Sequence, residues 1–344
     1  MTEEEEQSSL WSGNETLRSE PRGFSHEQMV TCEACLRANP PTRTACLYCG
    51  ASLPVTDASA SFIKPTLRPL EKWEQGFNTV LLSSEQQLSN DSLWKIADLL
   101  KLDAEEVKRI FSSGEPLPLA RAATEEEALV IERQLEAMGL RVLVVADAEL
   151  DAHAPKKLRA MELKDDALIV YPAGAQGGQE VLWKDVSLFV AGRRIIRKLE
   201  VAERQVKKQE KEIVESRELS ADEPRLDFYA SHHESGWRVT VDNLDFSCLG
   251  NLKTLVAAKN LQTLTSMLRE RAENAVYDDS YLRVRNMLTL VWPLEQHTES
   301  LGLRKQRMGR VHIEAVTTSD NETQFTRYSR LLHYLKLRQI DLKR

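Results

Sequence analysis

The sequence predicts an α+β multidomain protein, and three observations carry that prediction. Four of the five cysteines fall together between Cys32 and Cys49. Over residues 76–147, apolar residues recur at three- and four-residue steps between strand-like runs. Over residues 156–275, the apolar runs are short, β-branched and separated by Gly and Asp turns. The expected parts are a small four-cysteine ribbon, a compact α/β domain, and a β-rich block followed by a C-terminal helix.

Composition bounds the function. The chain has 344 residues, 42% of them hydrophobic and 29% charged, which is globular composition. Lys and Arg number 46 against 53 Asp and Glu, a net of −7, which argues against a protein that coats nucleic-acid phosphate over its whole surface. No apolar run approaches the roughly 18 residues of a membrane span. The start, Met1-Thr2-Glu3-Glu4-Glu5-Glu6, lacks the basic and apolar regions of a signal peptide. The expectation is a cytoplasmic protein with reduced cysteines and no membrane contact.

The elements follow in order. Residues 1–28 are acidic, Ser-rich and non-periodic, and read as a disordered tail. The ribbon spans 29–54, and the prolines of 55–75 mark a linker. Phe77 to Leu82 is a strand. Asp91 caps a helix carrying Leu93, Ile96 and Leu100 inward. A second helix starts at Asp103, with Glu105 and Glu106 in its first turn and Gly114 at its end. Pro116 and Pro118 enforce an extended stretch. Thr124 caps a third helix, with Glu127 as capping-box partner and Ala128, Ile131 and Leu135 as its apolar stripe. Arg141 to Val145 is the next strand.

In the β-rich block, Met161 to Val170 is a hairpin around Lys164-Asp165-Asp166, and Val181 to Val190 follows. Residues 199–224 carry many charges and high helical propensity, so they read as a solvated helix or linker. Leu226 to Ala230 and Trp237 to Val241 are strands, and a helix begins near Lys259. Residues 276–344 form a C-terminal extension. Its expected strands are Met287 to Trp292 and Val311 to Val316, and Gln324 to Leu337 is an amphipathic helix with Tyr328, Leu331, Leu332 and Leu335 inward.

The chemistry is clearest in Cys32-Glu33-Ala34-Cys35 and Cys46-Leu47-Tyr48-Cys49-Gly50. Two such knuckles supply four thiolates, and zinc takes four soft ligands in a tetrahedron. A segment this short has almost no core, so metal binding must supply most of its folding energy, on the order of 10 kcal/mol. Four protein ligands leave no open position, which makes the expected zinc structural, one per chain.

With Asn39, the spacing of these cysteines resembles the Ran-binding, nucleoporin-type zinc finger. Some fingers of that family stack single-stranded RNA on an aromatic and read bases with paired arginines. Arg43 matches one of those arginines, and with Arg37 it is a candidate nucleic-acid contact. Thr42 replaces the second arginine, Pro40 the aromatic and Val30 the usual Trp. Ubiquitin-binding members carry Thr-Phe after the second cysteine, where this chain has Leu36-Arg37. The segment is also similar to the plain zinc ribbons that head many bacterial proteins as structural or docking modules.

Residues 77–145 resemble the C-terminal domain of the bacterial ribosomal stalk protein and the Clp-adaptor-like fold. Phe77-Asn-Thr-Val-Leu81, Leu102-Asp-Ala-Glu-Glu-Val-Lys108, Thr124-Glu-Glu-Glu-Ala128 and Leu135-Glu-Ala-Met-Gly-Leu-Arg-Val142 carry the likeness. It implies a non-enzymatic module whose helix face recruits proteins. The element order of 156–272 looks like a pleckstrin-homology-like block.

Catalytic patterns are few. Gly174-Ala-Gln-Gly-Gly178 is a hairpin turn and no phosphate loop. His232-His233-Glu234 lies in a polar turn, where neighbouring residues point apart. Cys248, alone in an apolar stretch, reads as a structural thiol. From Arg304 onward ten Lys or Arg face four acids. Phe325, Tyr328 and Tyr334 lie among them, and the helical pattern turns these aromatics inward. The expected function is protein binding as a non-enzymatic adaptor, with unidentified protein partners. The alternative is an RNA- or ribosome-associated factor using the finger and the basic tail.

Overall fold

The computed structural model describes residues 23–83, 88–207, 210–305 and 311–340. The chain divides into two units, one ending at Lys64 and one starting at Pro65. Both are mixed in their elements, as the α+β prediction requires. Residues 1–22 of the expected acidic tail lie outside the described residues.

The first unit is built around the cysteines. Strands β1 (Val30–Thr31) and β2 (Ala38–Asn39) pair antiparallel. Val30, Cys32, Cys46 and Leu53 form its small core. The expected linker is not one over its first half. Thr56 caps a short helix, α1 (Asp57–Ala60), accepting the Ser59 amide at 3.2 Å, and Ala60 and Ile63 are buried. Prolines prevent a long helix here, but four residues suffice to pack.

The second unit begins with the elements β3 (Phe77–Ser83), α2 (Asn90–Leu100), α3 (Ala104–Ser113), β4 (Leu117–Ala122), α4 (Glu125–Ala137), β5 (Arg141–Ala146) and α5 (Asp147–Asp151). The sheet order is β4-β3-β5, with antiparallel pairs. Local signals explain these elements. Asp103 and Glu106 exchange capping bonds at the start of α3. Gly114 ends that helix in the left-handed region, at φ 65°. Thr124 caps α4. Helix α2 starts two residues earlier than expected, with Ser89 rather than Asp91 as its cap.

The larger sheet follows: β6 (Lys156–Leu163), β7 (Ala167–Pro172), β8 (Gln179–Leu182), β9 (Val186–Lys207), β10 (Glu210–Ala230) and β11 (Trp237–Thr240). Then come α6 (Ala257–Arg271), β12 (Val276–Asp278), α7 (Tyr281–Leu288), β13 (Glu295–Lys305), β14 (Val311–Asp320) and α8 (Glu322–Leu337). The strand order is β13-β14-β9-β10-β11-β6-β7-β8, and β12 adds to β9 in parallel.

Three sequence readings are corrected here. Residues 199–224 are neither helix nor linker. They are the facing arms of the β9–β10 hairpin, paired from Lys207↔Glu210 to Val186↔Ala230. Their Glu, Lys and Arg favour helix locally, and long-range pairing overrides that weak preference. Met287 to Trp292 is no strand, since it finishes α7 and turns, with the Trp292 amide bonded to the Leu288 carbonyl at 2.7 Å. Finally, α7 and α8 of the expected C-terminal extension 276–344 are no appendage. Tyr281, Val284, Leu288, Phe325, Tyr328 and Leu332 share one core with Val80, Ile131 and Val145 of the three-stranded sheet. The β-rich block has its own core beneath α6, including Phe189, Phe228, Trp237 and Leu264. Among the described residues no helix is long and apolar enough to cross a membrane.

Candidate metal centre

The two knuckles repeat one backbone pattern. In the first, the Leu36 amide donates to the Cys32 carbonyl at 2.8 Å, and the Cys32 amide donates to Arg37 at 2.9 Å. In the second, Gly50 donates to Cys46 at 3.0 Å, and Cys46 donates to Ala51 at 2.8 Å. Each turn therefore needs left-handed backbone at the residue after its second cysteine. Gly50 provides it at φ 74°, and Leu36 adopts it at φ 58° despite its side chain.

These turns bring the Sγ atoms of Cys32, Cys35, Cys46 and Cys49 within 4.8 Å of one another. Cys32 lies 3.6 Å from Cys49, and Cys35 lies 3.6 Å from Cys46. A tetrahedron with metal–sulfur bonds of about 2.3 Å has edges of about 3.8 Å, so the set fits around one ion. All four cysteines singled out in the sequence are brought together. The cluster can hold one metal ion, and four thiolates are the donor set of zinc or iron.

The close sulfurs pull one another's titration in opposite directions. Burial raises the Cys46 thiol, but the amides of Tyr48 and Cys49 and the Asn39 side chain outweigh it and bring it down to about 6. The Arg37 amide draws the Cys35 thiol down, yet burial and the three neighbouring sulfurs push it up to about 12. Sulfurs this close shed all their protons only with positive charge among them.

No family model, curated protein or solved structure matches this chain. What the site can do is therefore read from its own residues.

Asn39 joins the two halves. Its side chain is buried, donates to the Arg37 carbonyl at 2.9 Å and accepts the Leu47 amide at 2.8 Å. The candidate contacts Arg37 and Arg43 are both exposed. They differ in setting, because the Arg37 guanidinium lies 4.7 Å above the Tyr48 ring. The family pattern places its aromatics at positions 30 and 40, whereas here the aromatic is Tyr48, inside the second knuckle. Leu36, Leu47 and Tyr48 are 78%, 52% and 56% exposed, so the knuckles turn large apolar side chains outward.

The other sites considered from sequence do not assemble. His233 packs edge-on against Trp237 in the expected turn. Burial pushes the Cys248 thiol up to about 11, the wrong direction for a nucleophile. In the tail, Phe325 and Tyr328 are buried, Arg327 is bonded to Asp151, and Arg330 reaches the Glu234 carbonyl. Residues 306–310 and 341–344, with part of the basic tail, lie outside the described residues.

Proposed function

We propose that the chain is a non-enzymatic protein whose four cysteines hold one structural zinc and whose knuckle surface engages other proteins. The backbone of Leu36 carries this reading. A left-handed turn position favours glycine, and the equivalent position in the second knuckle has it. Here a leucine accepts a backbone cost of roughly 1–2 kcal/mol and exposes its side chain to water. Strain retained without local benefit points to a role outside the fold. The closed sulfur set leaves the ion no vacant position for chemistry.

The resemblance of 77–145 to stalk and Clp-adaptor domains supports the same reading. Trp94, 67% exposed, stands on α2 beside a groove of about 660 Å³ between α2 and α3, where Leu93, Ala97 and Leu102 also face. An exposed indole beside an apolar groove suits protein capture.

The test uses the full chain, loaded with zinc, as bait, with wild type and Leu36→Gly compared by mass spectrometry. The substitution relieves the backbone and leaves the sulfurs untouched. Proteins retained by wild type and lost by Leu36→Gly at equal zinc content support the reading, and identical sets overturn it.

A second reading, single-stranded RNA binding, draws on the Arg37–Tyr48 stack, because an exposed aromatic with a guanidinium above it can receive a base. Retention on immobilised RNA that weakens with salt and is lost in Tyr48→Ser would favour it.

A further inference from the structure

Several arginines near the larger sheet are paired with carboxylates. Arg193 bonds Asp222 at 2.6 Å, Arg194 bonds Asp320 at 3.0 Å, and Arg225 bonds Glu322 at 3.0 Å. Arg238 bonds Asp227, and Arg283 bonds Asp279 and Glu115. Among the described residues others on the strands, Arg159 and Arg217 included, have no such partner, and two more meet at one cavity. Among the described residues, neither Arg197 on β9 nor Arg285 on α7 has a carboxylate at ion-pair distance. Both line one cavity of about 80 Å³.

Apart from the apolar Ile195 and Leu294, the rest of that cavity's lining is polar and neutral. Ser319, Asn286 and Thr289 line it, together with the buried Asn321 and Gln324. The deeper amides are fixed by their own bonds. Asn321 accepts the Ile195 amide at 2.7 Å and donates to the Arg193 carbonyl at 2.9 Å. Gln324 accepts from Tyr281 at 3.0 Å and donates to the Trp292 carbonyl at 2.9 Å. They form a floor that cannot turn to neutralise the guanidiniums. Strand register puts Ser319 and Ser220 opposite Arg197, and Gln296 opposite Ser319, so no acid shares that cross-strand row.

We propose that Arg197 and Arg285 form a binding site for a phosphate group, carried as inorganic phosphate or as a soluble phosphate monoester. Two guanidiniums present planar donor forks that match a tetrahedral oxyanion, and the Asn286 amide and Ser319 hydroxyl add neutral donors. The small volume suits one such group. All the residues of this site belong to the second unit, and it requires no metal.

Calorimetric titration of the full chain with inorganic phosphate, at ionic strength held constant with chloride, tests this. Saturable one-to-one binding is expected, weakened about tenfold or more by Arg197→Gln or Arg285→Gln. Arg283→Gln, at a paired surface arginine outside the cavity, should bind as wild type does. Asn286→Glu, at an exposed helix position, supplies an internal carboxylate and should abolish binding without unfolding the protein. Glycerol phosphate should compete with inorganic phosphate. The proposal is overturned by absence of saturable binding in wild type, or by unchanged affinity in the two arginine variants. Vesicles of phosphatidylcholine with phosphatidic acid that bind where glycerol phosphate does not would place the phosphate on a lipid and overturn the soluble-ligand assignment.

Discussion

The Asn39 side chain accepts the Leu47 amide at 2.8 Å and so ties the strand after the first knuckle to the turn of the second. Its other end holds the Arg37 carbonyl, which also receives the Cys32 amide. One buried amide thus sets the spacing between two pairs of sulfurs. Asn39→Ala removes both bonds and should weaken metal affinity by about ten- to a hundredfold, the usual cost of losing a residue that orients ligands. Asn39→Asp keeps an acceptor for Leu47 and should lose less. Competition with a chromophoric chelator measures both, and equal affinity in wild type and Asn39→Ala would refute the coupling.

Metal removal should act on the first unit. Its core is four residues, two of them cysteines, so the ion must hold it together. Elemental analysis should give about one zinc per chain in wild type and none in Cys32→Ser/Cys46→Ser. A strong chelator should abolish amide-exchange protection at Leu36 and Gly50 while β6 to β11 keep theirs. Iron in place of zinc would show as visible thiolate absorption and would correct the ion's identity while leaving its ligands in place.

What could be read in the sequence was local. The cysteine spacing located the site, and Asp103, Gly114 and Thr124 marked helix ends because each acts within a turn of its own position. Partnerships across long separations could not be read this way. Arg197 faces Ser220 across the hairpin and Ser319 from β14, and nothing near residue 197 announces either. The charges of 199–224 spoke for a helix because propensity is a property of neighbours, whereas strand identity depends on the partner. At the metal centre, Tyr48 was passed over because a family pattern directs attention to its own aromatic positions.

A second partnership of that kind lies in the sheet. Asp227 on β10 and Arg238 on β11 are cross-strand partners, both buried, with two bonds of 2.7 Å. The Arg238 guanidinium also reaches Thr326 at 2.9 Å and lies 5.0 Å from the Phe325 ring, joining the sheet to α8. Breaking such a pair strands a charge away from water. Asp227→Asn should cost about 3–5 kcal/mol in urea denaturation. Asp227→Leu/Arg238→Met removes both charges and should cost distinctly less. If the double variant is as unstable as the single, packing rather than charge governs this site.

His333 makes the second unit sensitive to mild acid. Its ring is fully buried and stacks on Tyr229 with centroids 4.2 Å apart. Nδ1 lies 3.2 Å from Arg330 Nη1, and Nε2 has no partner. Burial, and then the Arg330 charge, hold its pKa down to about 4 from an ordinary 6.5. The folded state therefore binds its proton less readily than the unfolded chain. Stability from this group is complete above about pH 6.5 and drains as pH falls toward 4, by roughly 3 kcal/mol in total. Glu74 and Glu322, each held near 2, give up their contributions mainly below their ordinary 4.5, and Glu132, whose burial raises its carboxyl, works in the opposite sense, so the decline between 6.5 and 4.5 is assigned to His333. His333→Phe keeps the stack on Tyr229 and removes the titration. Its unfolding free energy should not decline across that span where wild type does, and parallel declines in the two proteins would assign the acid sensitivity to another group.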